Sequence, residues 1–319
     1  MLKSLFAVAM KRRKIARAAA RTAVLAAAVL FGATLASCSS GDSTSEIIIG
    51  GIPDQNVSTL EERFGNLADY LTEYFANQSN GDLPKISFRY QPSIDYSAIV
   101  TAFANGDVQL GWFGGLTGVQ ARNELPEAAA ISQRAKDAEF QSVWIVRNEL
   151  EVNSLADLQG RSFTFGSPIS TSGRLMPQYF LEEAGFDIDE LFSDFSFSGS
   201  HDKTWQLVEA GTYDAGVLNK SVWDSAVAEG RVDLGKVRAF ETTPPYYDYH
   251  WLAHPSIDDT HGQGTSERIK QALLTLDDTD DDPLAQEVLD NFLAEEFIAT
   301  DNSNYDQIEV VARDLDLLR

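Results

Sequence analysis

Ser170-Thr171-Ser172-Gly173 sets three side-chain hydroxyls and a glycine in succession, between the apolar run Arg161-Ser162-Phe163-Thr164-Phe165 and a predicted helix from Leu175 to Glu183. A strand that turns through small hydroxyl residues into a helix can cradle an anion. The first N–H groups of that helix lack intrahelical partners and carry the positive end of its dipole. The hydroxyls add donors, and a glycine admits a close backbone approach. The same residues also read as an ordinary Ser/Thr N-cap, so the rest of the chain must decide between the two.

Hydrolytic chemistry finds little support. The chain has no Gly-x-Ser-x-Gly elbow, no His-Glu-x-x-His and no dense Asp/His cluster. An anion-cradling phosphoesterase would need an activated nucleophile or a metal pair. His201 is the one candidate base near the turn, with no identifiable orienting partner. His250 and His254 stand four apart, but in a predicted strand ending at Pro255, where that spacing is about 13 Å. The expectation is a binding protein rather than an enzyme, without cofactor or metal.

The N-terminus reads as an export signal. Lys11-Arg12-Arg13-Lys14, Arg17 and Arg21 precede an apolar stretch from Thr22 to Ala36, too short for a comfortable membrane span. Leu35-Ala36-Ser37-Cys38 follows, then a polar run from Ser39 to Ser45. The tetrad resembles a bacterial lipobox, in which the cysteine is acylated and becomes the first mature residue. Cys38 is the only cysteine, so the chain holds no intramolecular disulfide and no catalytic thiol. Met10 is an alternative start that gives a signal of more usual length. The expected organisation is a signal at 1–37, an acylated Cys38 with a tether at 38–45, and an envelope protein held to the membrane by lipid alone.

The formal net charge is −23. The signal holds seven basic residues and no acid, so its removal leaves −30. That surface repels nucleic acid and anionic headgroups. An anion site must therefore work through local donors, with salt screening the outer field. The acidity does not imply disorder, since 44% of the residues are hydrophobic and 10% aromatic.

About 275 residues remain past the tether, more than one compact core usually holds. Glu46 to Gly50 reads as a buried strand, and Ser58-x-x-Glu61 as a capping box opening a helix over 59–77. Leu60, Phe64, Leu67, Leu71 and Phe75 keep helical spacing on it. Strands at 85–90, 108–113, 128–133 and 142–147 alternate with helices at 96–105 and 116–124. A second series starts near Asn153 and runs through the hydroxyl turn, a strand at 194–197, a helix at 203–210 and a strand at 213–218. Trp251 to Pro255 and the C-terminal helices return to the first series. This alternation predicts an α/β protein with parallel sheets. Its expected parts are lobe 1 over 46–147, lobe 2 over 148–245, and a return to lobe 1 over 246–319. Two lobes joined by two crossings suggest a ligand cleft between them.

Several motifs recur in one order: Asp95-Tyr96 ahead of a helix, Gly111-Trp112-Phe113-Gly114-Gly115, Leu-x-Asp-Leu-x-Gly at 155–160, Ser170-Thr171-Ser172-Gly173, His201, and Tyr247-Asp248-Tyr249-His250-Trp251. Together they resemble the phosphate/phosphite/phosphonate-binding receptors of ABC importers, over roughly residues 46 to 300. The resemblance implies a type II periplasmic-binding-protein fold with two crossover strands, and a lipid-anchored, monomeric receptor serving a permease with its ATPase. A ligand-sensing lipoprotein would share the same site.

Carried over position by position, the resemblance implies that Ser170, Thr171, Ser172, Tyr96 and His201 hold the oxyanion, with Asp248 completing the shell. Phe113 stands where aminoalkylphosphonate receptors carry tyrosine. Ser221 falls near where those receptors place a carboxylate for the ligand amine. The first removes one hydroxyl donor, and the second implies a small ligand without an aminoalkyl tail. A carboxylate beside an anion is repulsive unless a proton lies between them, and a monoprotonated phosphonate, phosphite or phosphate can donate one, with phosphoryl second pKa values on the order of 6. Sulfate and selenate cannot, although a cationic His201 would offset Asp248 and remove the discrimination. A selenate-receptor subgroup with similar wording stays open as the alternative.

Overall fold

The structure is a computed structural model that describes residues 45–78, 85–277, 279 and 281–318. The signal at 1–37, Cys38 and the tether up to residue 44 lie outside the described residues. Strand β1 (Ser45–Gly51) leads into α1 (Val57–Gln78), β2 (Ile86–Tyr90), α2 (Tyr96–Ala104), β3 (Leu110–Phe113), α3 (Gly115–Glu124) and β4 (Ala129–Arg134). Next come β5 (Ser142–Arg147), β6 (Arg161–Phe165), α4 (Met176–Glu183), α5 (Ile188–Leu191), β7 (Phe192–Phe197), α6 (His201–Glu209), β8 (Ala215–Asn219), α7 (Lys220–Ala228) and β9 (Val237–Thr242). The described residues return through β10 (His250–Ala253), three α-helices, β11 (Phe297–Ala299) and a last α-helix over Asp306–Asp314. No helix of the described residues is long and apolar enough to cross a membrane.

Among the described residues, one sheet has the order β11-β4-β10-β3-β1-β2 and the other β7-β6-β8-β5-β9. Each is mixed rather than parallel. β1 runs parallel to β2 and β3, and β6 to β7 and β8. β5 and β10 are antiparallel to all their neighbours. These are the strands by which the chain enters the second sheet and returns to the first. Lacking a preceding crossover helix in the same sheet, each enters from the opposite end. β5 pairs with β8 and β9, so residues 142–147 belong to the second lobe, not to the first where the sequence put them. The two crossings pair with each other: Phe140 and Tyr246 exchange backbone hydrogen bonds of 2.8 and 3.0 Å.

The strands form where their alternation can be buried. Val143 and Ile145 of β5 face Trp205 and Trp223, while Trp144 and Val146 face Phe163 and Phe165, so lobe 2 has a core on each side of its sheet. Lobe 1 is built on aromatic packing: Trp112 meets Trp251 at 5.0 Å and Phe292 at 5.3 Å. Helix α1 starts earlier than the Ser58 capping box predicted. Asn56 Oδ1 accepts the Thr59 N–H at 3.0 Å and the Ser58 hydroxyl at 2.7 Å, so the asparagine takes the cap and Ser58 donates to it.

Candidate anion-binding site

Tyr96 is the first residue of α2, held there by Asp95, whose carboxylate accepts the Ala98 N–H at 2.8 Å. The side chain is buried, and its hydroxyl has no hydrogen-bond partner. Burial raises the phenol pKa well above its ordinary value, nearby Asp54 and Asp248 push the same way, and Ser170 opposes them. The hydroxyl thus lies near Ser170 of lobe 2 and feels the charge of both carboxylates.

The hydroxyl turn is wider than a plain α-helical start, because the Leu175 N–H reaches back five residues to the Ser170 carbonyl at 2.9 Å. Ser170 Oγ accepts the Gly173 N–H at 3.0 Å, and Thr171–Leu175 form a π-helical turn before α4. Thr171 Oγ1 reaches across to lobe 1 and accepts the Leu116 N–H at 2.9 Å. The Ser172 carbonyl accepts the Ser142 hydroxyl at 2.7 Å. Gly173 differs from expectation. A Cβ there would lie 3.0 Å from the Gly166 Cα, and its carbonyl accepts the Gly166 N–H at 2.8 Å. Its missing side chain lets the turn lie against the end of β6 rather than admitting a ligand.

Asp248 lies on the returning crossing, wholly buried, with its N–H bonded to the Asp137 carbonyl at 3.0 Å. Oδ1 accepts the Gly115 N–H at 2.9 Å, which closes the N-terminus of α3, and Oδ2 has no partner. Burial lifts the carboxyl pKa to about 7; the Gly115 hydrogen bond opposes this, Asp137 adds to it, and Thr171 and Arg134 oppose it. Gly114 fits between the groups. A Cβ on it would stand 3.0 Å from Thr171 Oγ1 and 3.1 Å from Asp248 Oδ1.

His201, at the N-terminus of α6, sits one layer away. Its Nδ1 accepts the Asn219 N–H at 3.3 Å, so Nε2 carries the proton and donates to the Tyr249 hydroxyl at 3.2 Å. Burial depresses its pKa, so the ring is neutral and does not offset the charge of Asp248. Tyr249 donates in turn to Asp54 Oδ2 at 2.9 Å and accepts from Asn219 Nδ2 at 3.2 Å.

Tyr96, Ser170, Thr171 and Asp248 are therefore brought together, Ser172 is in the same turn, and His201 joins through Tyr249. Phe113 is not brought to them. Its ring covers Gly111 and stands edge-on to Phe103 at 5.3 Å in the lobe 1 core. Ser221 makes no hydrogen bond to these groups among the described residues; Asn219, two residues earlier, points into the network and also caps α7 through Val222. Asp54, Asn219, Tyr249 and Gly114 were not singled out from the sequence. Tyr249 adjoins Asp248 in a motif already quoted, but Asp54 lies in a turn with no local signal. His250 and His254 have separate duties: His250 stacks on Tyr305 at 3.8 Å, and His254 accepts the Ser256 N–H at 3.0 Å.

Two mixed α/β lobes, two crossing strands and donors from both lobes around a buried carboxylate define a periplasmic solute-binding protein of the type II fold. The family model for the periplasmic substrate-binding protein of phosphonate ABC transporters matches residues 49–305, and the chain belongs to that family. It is 39% identical over 278 residues to the probable ABC transporter phosphite binding protein PhnD1 of Prochlorococcus marinus, covering 85% of this chain and 90% of that one. The solved structure of that PhnD1 in complex with methylphosphonate matches with a TM-score of 0.79, over 85% of this chain and 98% of the other. The phosphate-import protein PhnD of Mycolicibacterium smegmatis is 30% identical over 237 residues, 70% of each chain. The family is one of receptors, not enzymes.

Proposed function

We propose that this protein captures a monoprotonated phosphorus oxyanion, phosphite or methylphosphonate first and phosphate next, between Tyr96, the Ser170–Ser172 turn and Asp248. The observation that carries the reading is a pair of buried polar groups without hydrogen-bond partners, the Asp248 Oδ2 acceptor and the Tyr96 hydroxyl, the second of which feels the charge of Asp248. An anion that brings a proton satisfies the carboxylate, while its other oxygens take the Tyr96, Ser and Thr donors. With Asp248 near 7 and a phosphoryl second pKa of about 6, the pair shares one proton whichever group held it first. Sulfate and selenate bring none, so they can use only the protein whose Asp248 is already protonated, a fraction that falls as pH rises above 7. The neutrality of His201 keeps this discrimination in force. The names of the two relatives and the methylphosphonate complex of PhnD1 support the same ligand class. Ser or Asn near the position of an amine-binding carboxylate, and Phe113 committed to the core, favour a small ligand over an aminoalkyl one.

The receptor works as a monomer, hands its anion to a permease with its ATPase, and is anchored through acylated Cys38, where each buried CH₂ contributes about 0.8 kcal/mol. Calorimetric titration of the protein truncated at Cys38, with phosphite, methylphosphonate, phosphate, sulfate and selenate, tests the ligand class. Phosphorus anions should bind and the fully deprotonated ones bind more weakly. Binding of none, or selenate binding tightest, rejects it.

A further inference from the structure

We infer that the Tyr249 hydroxyl is a latch that draws the lobes together without any ligand, and so sets the affinity for every anion alike. The ring is fixed to lobe 1 and the crossings: it stacks on Trp112 at 5.5 Å, meets Phe140 at 5.4 Å and lies under the Arg134 guanidinium at 5.0 Å. Only the hydroxyl reaches out, and it uses its full capacity of one donated and two accepted hydrogen bonds. It donates to Asp54 of the β1–α1 turn in lobe 1 and accepts from His201 and Asn219 in lobe 2. Arg63 Nη1 stands 3.7 Å from the other Asp54 oxygen.

Backbone contacts follow the same seam. The His201 N–H donates to the Asp54 carbonyl at 2.9 Å, and the Asn56 N–H to Asp202 Oδ2 at 3.0 Å. Leu116 N–H adds the bond to Thr171 Oγ1. Each of these bonds joins the lobes directly, protein atom to protein atom. In an open form the partners separate and meet water, so the junction stabilises the closed form alone. Closure that precedes binding raises apparent affinity in proportion to the closed fraction, whatever anion arrives. Tyr249 is thus a positioning residue that acts through the lobe equilibrium, and its effect on anions rests on the interlobe site proposed above.

Hydrogen exchange on the ligand-free protein tests the latch without reference to any anion. The amides of His201, Asn56 and Leu116 have their partners in the opposite lobe, so their protection reports closure. All three should be protected in the wild type. Tyr249→Phe keeps the ring packing and removes the hydroxyl. It should speed exchange at these amides, and weaken phosphite, methylphosphonate and phosphate by one common factor, roughly tenfold to a hundredfold. Unprotected amides in the free wild type overturn the latch, which needs no folded variant to observe. So do a variant with unchanged exchange and affinities, and a loss confined to one anion, which would mark Tyr249 as a direct contact. If none of the anions binds the wild type, the ligand reading fails while the exchange result still decides the latch.

Discussion

Asp248 is bonded to Gly115 through one carboxylate oxygen, at 2.9 Å, and leaves the other buried without a partner. The first oxygen fixes the side chain at the start of α3. The second is thereby held in place as a buried acceptor. Burial, the largest influence on this carboxyl, brings its pKa to about 7.

Replacing Asp248 by Asn should separate the two kinds of anion. A charge-assisted hydrogen bond is worth roughly 1.5–3 kcal/mol, and phosphite and methylphosphonate should lose about that much. Selenate should bind better, because a like charge is removed and a donor added. In the wild type, selenate requires a protonated Asp248, so its binding should fall about tenfold per pH unit above 7. The Asn variant should show no such slope. Paired titrations at several pH values check this; selenate that binds the wild type tightly and the variant weakly contradicts the proton-acceptor role.

Stability of the ligand-free protein should carry the same signature. The folded pKa of Asp248 is raised from 3.8 to about 7, so the folded state holds a proton that the unfolded state has released between those values. Stability is therefore lost as pH rises through that window. His250, depressed to about 3, acts oppositely and loses stability as pH falls below its unfolded value near 6.5. Asp248→Asn should gain on the wild type as pH goes from 4 to 8, by a few kcal/mol in all. Denaturant unfolding at pH 4, 6 and 8 gives the difference; a constant offset would refute the raised pKa.

Gly114→Ala should weaken anion binding while the fold survives. Gly114 has a φ of −77°, so alanine is allowed on the backbone, and space is the only obstacle. The methyl would press on Thr171 Oγ1 and Asp248 Oδ1 together, and so against closure. A loss of roughly tenfold or more in affinity is expected, with a melting temperature little changed, since overpacking costs about 1–3 kcal/mol and falls on the closed form. Unaltered titrations would mean that the lobes do not need this approach.

Cys38→Ala should release the protein from the membrane. Wild type should label with radioactive palmitate and sediment with membranes; the variant should do neither. A variant that still sediments would point to another anchor.

No turnover is expected. Aryl phosphates and phosphonate esters incubated with the protein should release product at the buffer rate, because the hydroxyl turn has no oriented base: both nitrogens of the neutral His201 are engaged by Asn219 and Tyr249. Steady hydrolysis abolished by Ser172→Ala would overturn the receptor assignment.

The sequence alone determined much of this protein. The alternation of strands and helices, the turn at Ser170–Gly173, and the ordered motifs through Asp248 were all legible, because caps, periodicity and small hydroxyl runs act over a few residues. Tertiary structure decided the rest. β5 and β10 run against their neighbours because of where the chain crosses between lobes, which no local pattern records. Gly173 proved to serve Gly166, and Asn219 rather than Ser221 turned inward. The junction that engages His201 joins Asp54 to Tyr249, which are 195 residues apart in the chain. Which buried atoms find partners, and which, like Asp248 Oδ2, are left without one, depends on distances between such remote residues, and only the folded chain sets those.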